Sequence, residues 1–191
     1  MPTEQELETI VNSWNPDKKP APQDELQAQV LEVMFKIASQ THNTRMAISQ
    51  IKEKAAGVDI SRVQVENTLT RLRTYEYVVL TTDFRMGDAA GFRAEGYEVF
   101  VPEKEILANI VTTLYGLQAT HNWPEVWLPK IAKEVGLGEY VITLYYLNKL
   151  RNQGLAEVHT KLKDGRQMTS TGLTEKGKNL AEYLKRHQRN I

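Results

Sequence analysis

Apolar residues recur every three or four positions through most of the chain, and they cluster at closer spacing in a few short stretches. The first spacing is typical of helices that bury one face, and the second is typical of strands. The pattern predicts helices over residues 3–14, 24–39, 45–56, 62–74, 103–119, 126–135 and 175–187, and one more that begins near Leu137 and ends before Gly154. Strands are predicted over residues 77–82, 97–101, 155–161 and 167–171. We therefore expect a mainly α fold with small β-hairpins, in the α+β class.

One spacing of bulky residues occurs twice and predicts two similar domains. Two leucines three positions apart are followed, five positions later, by another bulky residue: Leu69, Leu72 and Tyr77, and then, 78 residues further on, Leu147, Leu150 and Leu155. Three predicted helices and a hairpin accompany each copy. We expect consecutive domains over residues 24–101 and 102–191.

Residues 1–23 are predicted to form an N-terminal helix followed by a proline-rich linker. Leu7, Val11 and Trp14 have helical spacing, and three prolines lie between Pro16 and Pro22. Proline at this density favours an extended segment. Two interpretations of the helix remain open: it packs back on the body of the protein, or it docks on a partner or a second copy.

The stretch from Leu137 to Thr174 resembles a known domain. A helix with a Leu-x-x-Leu face ends at Gly154, two strands follow with Asp164-Gly165 between them, and a new helix opens with Leu-Thr-x-x-Gly at residues 173–177. This order resembles the recognition helix, wing and closing helix of a winged helix-turn-helix domain. It is most similar to bacterial regulators of the multiple-antibiotic-resistance and phenolic-acid-repressor types. The resemblance, together with the repeat, implies two consecutive winged-helix domains.

The resemblance implies that the third helix of each domain enters the major groove and that the wing contacts the backbone. In the first domain, the polar residues left outside the apolar stripe are the candidate base contacts: Arg62, Gln64, Asn67, Thr70, Arg71 and Arg73. Arginine, glutamine and asparagine form bidentate hydrogen bonds with guanine or adenine edges. Arg85 and Arg93 are candidate contacts from its glycine-rich wing. The alternative is a solvated polar face, as any three-helix domain would show.

The predicted third helix of the second domain carries mainly apolar residues, whereas the third helix of the first domain carries mainly polar ones. Some of its bulky residues must face outward, and an outward apolar face favours a protein contact through Val141, Ile142, Tyr145 and Tyr146. Tyr140 is a DNA candidate, because tyrosine can stack on bases or bond to phosphate. Lys161, Lys163 and Arg166 cluster at the tip of the second wing, where they could bind phosphate or simply keep the hairpin soluble.

Composition narrows the classes of function. The chain has no cysteine, so disulfides and thiolate metal sites are excluded. No apolar run approaches the roughly 18 residues of a membrane helix, and the first residues lack the pattern of a signal peptide. A cytoplasmic protein that does not enter the membrane is expected. The formal net charge is zero, which argues against indiscriminate coating of nucleic acid, but residues 102–191 carry thirteen basic and nine acidic residues.

The sequence contains none of the motifs of nucleotide-binding loops, nucleophile elbows or zinc proteases. The four histidines are scattered, so no metal or cofactor is expected, and the protein is not expected to be an enzyme. Trp123 and Trp127 could line a small-molecule pocket, or they could pack in a core or between domains. The sequence thus predicts a double-stranded DNA-binding protein that acts as a transcriptional regulator, alone or as a homodimer. The alternative is a protein-interaction subunit of a nucleic-acid-processing, chromosome-organising or defence assembly.

Overall fold

The computed structural model describes residues 2–83, 86–121, 125–138, 140–163 and 166–187. The fold is mainly helical with two small three-stranded antiparallel sheets, which confirms the predicted class. In chain order the elements are α1 (Glu4–Ser13), α2 (Glu25–Thr41), β1 (Arg45–Ala47), α3 (Ile48–Ala56), α4 (Arg62–Thr74), β2 (Val78–Asp83), β3 (Gly87–Phe92), α5 (Ala94–Tyr97), α6 (Glu103–His121), β4 (Val126–Trp127), α7 (Leu128–Glu134), α8 (Tyr140–Asn152), β5 (Ala156–Lys163), β6 (Arg166–Leu173) and α9 (Glu175–His187).

The chain divides into two compact units. We call the first the early unit, which comprises Lys18–Val101 and Gly136–Ile142, and the second the late unit, which comprises Met1–Asp17, Pro102–Val135 and Thr143–Ile191. The short segment 136–142 belongs to the early unit because the backbone N–H and the hydroxyl of Thr44 both donate to the carbonyl of Leu137, each at 2.8 Å.

The early unit is built from helices α2, α3 and α4 and a sheet with strand order β1-β3-β2. Its helices pack through side chains that are almost completely buried, among them Met34, Ile51, Leu69, Leu72 and Phe92. The late unit has the same element order in α6, β4, α7, α8, β5 and β6, although the first three residues of α8 belong to the early unit, and its sheet has the corresponding strand order β4-β6-β5. Helix, strand, two helices and a hairpin therefore occur twice.

The repeated leucine spacing occupies equivalent positions in the two units. All five leucines of the motif are buried. The backbone N–H of Tyr77 donates to the carbonyl of Leu72 at 2.9 Å, and that of Leu155 donates to the carbonyl of Leu150 at the same distance. Each bond closes the end of the third helix before the hairpin begins, so the same residue spacing gives the same helix ending.

Three predicted elements are wrong. Residues 45–47 and 126–127 are short strands rather than the starts of helices, which begin at Ile48 and Leu128. The predicted strand over residues 97–101 does not form, and the second strand of the first hairpin is Gly87–Phe92 instead. Small residues explain this error: Ala89 and Ala90 are buried in β3, but alanine and glycine carry little strand propensity.

The N-terminal segment is held in place in both units. In the late unit α1 packs against α9, and the indole N–H of Trp14, which is buried, donates to the side-chain oxygen of Gln153 at 3.0 Å. In the early unit the backbone N–H of Lys19 donates to the carbonyl of Glu98 at 2.9 Å. The proline-rich stretch is therefore anchored at Lys19, and the helix packs on its own chain. Among the described residues, no helix has the length and apolar character needed to cross a bilayer.

Candidate nucleic-acid interface

Helix α4 buries one side and leaves a broad side exposed. Its start is fixed by Ser61, whose hydroxyl accepts the backbone N–H of Gln64 at 3.3 Å, while the Gln64 side-chain oxygen accepts the N–H of Ser61 at 2.9 Å. Val65, Thr68, Leu69 and Leu72 face the core. At about 100° per residue, the positions farthest from that core are occupied by uncharged side chains: Val63, Asn67, Thr70 and Thr74. The outermost ridge of α4 thus carries small, uncharged side chains, three of them polar.

The arginines of α4 lie on its two flanks rather than on this ridge. Arg62 and Arg73 are on one flank, and Arg71 is on the other, where its guanidinium lies 3.8 Å from the carboxylate of Asp24. All six residues predicted from α4 are exposed. Gln64 is also part of the helix cap, so its oxygen is already engaged. Asn67 and Thr70 are therefore the best placed of the six to reach into a groove.

An open cleft of about 850 Å³ lies between α3, α4 and the β2–β3 hairpin. Lys52 in its wall pairs with Glu66 of α4. The charged residues that line the cleft are of mixed sign: Lys52, Arg62, Glu53, Glu66 and Asp88. Because acidic and basic side chains both line the cleft, it is not suited to bind a phosphate group of DNA beside α4.

Arg93, one of the two arginines predicted for the first wing, does not lie in it. Arg93 lies beyond the end of β3, at the N-cap of α5, and its guanidinium is 3.5 Å from the carboxylate of Glu76. Its assignment to the wing was wrong, because the second strand ends earlier than the sequence pattern indicated. Arg85 lies outside the described residues.

Helix α8 has an apolar exposed side. Val141 is 59% exposed, and Tyr140 and Tyr145 are also exposed. The ammonium of Lys149 lies 5.3 Å from the centre of the Tyr145 ring and 2.6 Å from the carboxylate of Glu103. Ile142 and Tyr146 are buried one turn apart, in line with the leucine stripe, so neither can contact a partner. The predicted protein-contact set is thereby reduced to Val141 and Tyr145.

The β5–β6 hairpin is a long two-stranded ribbon. Strand β4 pairs only with Ser170 and Thr171 of β6, whereas β5 and β6 remain paired out to Lys163 and Arg166. Lys161 is 74% exposed on this ribbon. The three predicted basic residues are thus brought to its outer end, with Lys163 opposite Arg166 in the register. Asp164 and Gly165 lie outside the described residues.

A polar cluster lies at the inner end of the ribbon. The hydroxyl of Ser170 donates to the carboxylate of Glu125 at 2.6 Å, and His159 Nε2 lies 3.8 Å from the same carboxylate and 3.4 Å from that of Glu157. The Ser170 hydrogen bond, helped by the nearby Lys161 and His159, lowers the pKa of Glu125. The cluster places negative charge here, so the basic character of the ribbon lies toward its outer end.

Trp127 is 57% exposed and pairs across the sheet with Ser170. It is therefore neither in a core nor at the wall of an enclosed pocket. Trp123 lies outside the described residues. The exposure of Trp127 could not be found from the sequence, since the strand that contains it has only two residues, too few to show an alternation, and its neighbours Val126 and Leu128 are both buried.

No group of histidine, aspartate and glutamate side chains suited to a metal ion occurs in the part of the chain that the structure describes. No protein-family model matches the chain, and no curated protein shows significant sequence similarity to it.

Proposed function

We propose that the protein binds double-stranded DNA as a transcriptional regulator, and that each unit is a winged helix. The observation that carries the proposal is the repeated order of helix, strand, two helices and hairpin, which leaves an exposed third helix and an exposed hairpin in each unit. Residues 62–74 carry three arginines and one glutamate, and residues 140–152 carry two basic residues and no acidic one. Both third helices therefore present positive charge to a polyanion.

The parts of the interface have different roles. The ridge of α4 reads bases, because the amide of Asn67 can bond both to N6 and to N7 of adenine and Thr70 can contact a thymine methyl group. Arg62 and Arg73 reach phosphates on one flank. In the late unit Lys161 contacts phosphate from the exposed ribbon. A homodimer would place two such half-sites about one helical turn of DNA apart.

Binding is tested by fluorescence anisotropy with the full chain and a labelled duplex of about 30 base pairs, measured at several salt concentrations. We expect tight binding at low salt that weakens as salt rises. Lys161→Ala should weaken binding to every duplex and reduce the slope of log affinity against log salt by about one. Lys36→Ala removes a similarly exposed lysine from α2 and should change neither. Absence of binding at low salt would refute the proposal.

Helix α8 favours a second function, namely a protein-interaction subunit of a larger assembly. Its exposed side presents Val141 and Tyr145, and an exposed apolar side is better suited to a protein than to a base edge. Under this alternative, Val141→Ser with Tyr145→Ser abolishes capture of the partner and leaves DNA affinity unchanged. If these substitutions reduce DNA affinity as strongly as Lys161→Ala does, α8 belongs to the DNA interface instead.

A further inference from the structure

The outer part of the β5–β6 ribbon extends beyond the third strand of its sheet. Four pairs, from Thr160 opposite Thr169 to Lys163 opposite Arg166, lie past the last residue that pairs with β4 in the described part of the chain. At about 3.3 Å per residue, this part of the ribbon is roughly 10–13 Å long. It is long enough to reach a groove of a duplex that lies beside the unit.

Leu162 is the most distinctive residue of this extension. Its side chain is 81% exposed, more than that of any other large apolar residue described. Because side chains alternate along a strand, Leu162 shares a face with Ala156, which is buried, and with Gln167 directly opposite. The face that forms the core of the sheet therefore continues into solvent and carries a leucine there.

The charges around Leu162 identify the kind of partner. Residues 160–169 carry Lys161, Lys163 and Arg166 against Asp164 alone, a net charge of +2. A single exposed leucine is ordinary on protein surfaces. By the same alternation, Lys161 lies on the opposite face of the ribbon, so one face carries an exposed leucine and the other an exposed cation. This pair suits a groove with anionic walls in which an opened base-pair step exposes apolar, stacked base planes. The minor groove of DNA lies between two phosphate backbones, and at about 6 Å wide it admits a side chain more readily than a helix.

The inference rests on the proposed DNA binding. We propose that Leu162 is an apolar wedge that enters the minor groove and partly unstacks one base-pair step, so that the duplex bends. Lys161, on the opposite face of the ribbon, then binds a phosphate of the groove wall. Inserted apolar side chains are known to kink duplexes in this way, and the cost is lowest at flexible pyrimidine–purine steps.

The hairpin of the early unit does not share these properties. It carries Asp83 and Asp88 against Arg85, and the hydroxyl of Thr82 donates to the carboxylate of Asp88 at 3.2 Å. Only two pairs of this hairpin extend beyond the strand-pairing of β1 in the described residues, Thr82 with Asp88 and Asp83 with Gly87. The wedge is therefore assigned to the late unit alone.

Bending is measured by energy transfer between dyes at the two ends of a duplex of about 25 base pairs, with the full chain at saturation. One duplex has a central TA step and the other a central A-tract. We expect energy transfer to rise on binding, and to rise more with the TA duplex. Leu162→Ser should abolish the rise and weaken binding roughly tenfold, whereas Leu162→Met, which keeps an apolar wedge, should retain both.

Two controls separate the wedge from other effects. Lys161→Ala should weaken binding but leave the energy transfer at saturation unchanged. Val58→Ser removes another exposed apolar side chain, from the turn after α3, and should behave as the wild type does. Since Leu162 is so exposed, circular dichroism should show that the serine variant folds normally.

The outcomes distinguish the two proposals. Binding without a rise in energy transfer, or a Leu162→Ser variant that bends DNA as the wild type does, would overturn the wedge and leave DNA binding intact. If no duplex binds at low salt, the proposed function itself fails, and the wedge fails with it.

Discussion

A side chain at Gly177 would overlap the carbonyl oxygen of Leu155, the residue that immediately precedes the β5–β6 ribbon. The same relationship joins Gly96 to the carbonyl oxygen of Tyr77 in the early unit. In each unit, the helix after the hairpin thus packs backbone against backbone on the end of the third helix. This contact fixes where the hairpin begins, and so it positions the ribbon for any partner.

Gly177→Ala should lower the free energy of unfolding by roughly 2–3 kcal/mol, because the new methyl group meets backbone that cannot rotate away. The measurement is urea unfolding followed by circular dichroism. Gly116→Ala is the matched control: Gly116 lies in α6 with open space around it, so alanine there should raise stability by about 0.5–1 kcal/mol. Equal effects from the two substitutions would contradict the packing described.

The residue two positions before each hairpin also shows how the units differ. Gly154 has a φ of 70° and Glu76, at the equivalent position, has a φ of 62°. A left-handed conformation is costly for any residue with a β-carbon, by about 1 kcal/mol. Glu76 has an exposed pair with Arg93, and because exposed pairs contribute little, this pair offsets a small part of the cost.

Glu76→Gly should therefore raise the free energy of unfolding, by about 0.5 kcal/mol, although it removes an ion pair. Thermal unfolding provides the measurement. Glu76→Ala removes the same ion pair and keeps the β-carbon, so it should be slightly destabilising. If both variants lose stability equally, the ion pair outweighs the backbone strain and the reasoning is wrong.

Much of the fold could be predicted because the relevant signals are local. The helices α2, α4 and α9 and the β5–β6 hairpin follow from apolar spacing and from Gly154. Strands β1 and β4 could not be predicted, since three and two residues are too few to show a period and each runs directly into a helix. Strand β3 was missed because its buried residues are small.

The candidate site was harder to predict for a physical reason. Helix α8 has bulky apolar residues on nearly every side, so the spacing alone could not separate the buried Ile142 and Tyr146 from the exposed Val141 and Tyr145. Leu162 continues a strand alternation that looks like core. Its exposure depends on where the third strand of the sheet ends, which is a long-range property that no local pattern records.

Base reading by α4 is expected to depend more on Asn67 than on Arg71. Asn67 lies on the outermost ridge, whereas Arg71 lies on a flank beside Asp24. After selection of a preferred duplex from a random library, Asn67→Ala should reduce the preference for that duplex over a single adenine substitution by about tenfold. Arg71→Ala should leave the preference nearly unchanged. A larger loss of preference from Arg71→Ala would show that the flank, not the ridge, faces the bases.

An ion pair between a partly exposed lysine and a buried glutamate anchors the proline-rich stretch in the early unit. The ammonium of Lys19 lies 2.9 Å from the carboxylate of Glu98, whose side chain is only 2% exposed. Lys19→Met should lower the free energy of unfolding by about 1–3 kcal/mol, since it removes the cation from a buried carboxylate. The double variant Lys19→Met, Glu98→Gln should lose less than Lys19→Met alone, as measured by urea unfolding. Additive losses would mean that the two side chains do not interact.

The polar cluster at the inner end of the ribbon predicts the direction in which the pKa of Glu125 is shifted. The pKa of Glu125 is lowered from 4.5, first by the hydrogen bond from Ser170 and then by Lys161 and His159. The folded state therefore favours the ionised carboxylate. The contribution of the Glu125 carboxylate to stability is present above pH 4.5 and is lost as the pH falls through the lowered pKa.

Carbon-detected NMR titration of the Glu125 carboxyl group should show a midpoint below 4.5, and Ser170→Ala should raise that midpoint. Lys161→Ala should raise it less, because its ammonium is exposed and 4.0 Å away. A midpoint that does not respond to Ser170→Ala would mean that this hydrogen bond does not hold Glu125 at the foot of the ribbon.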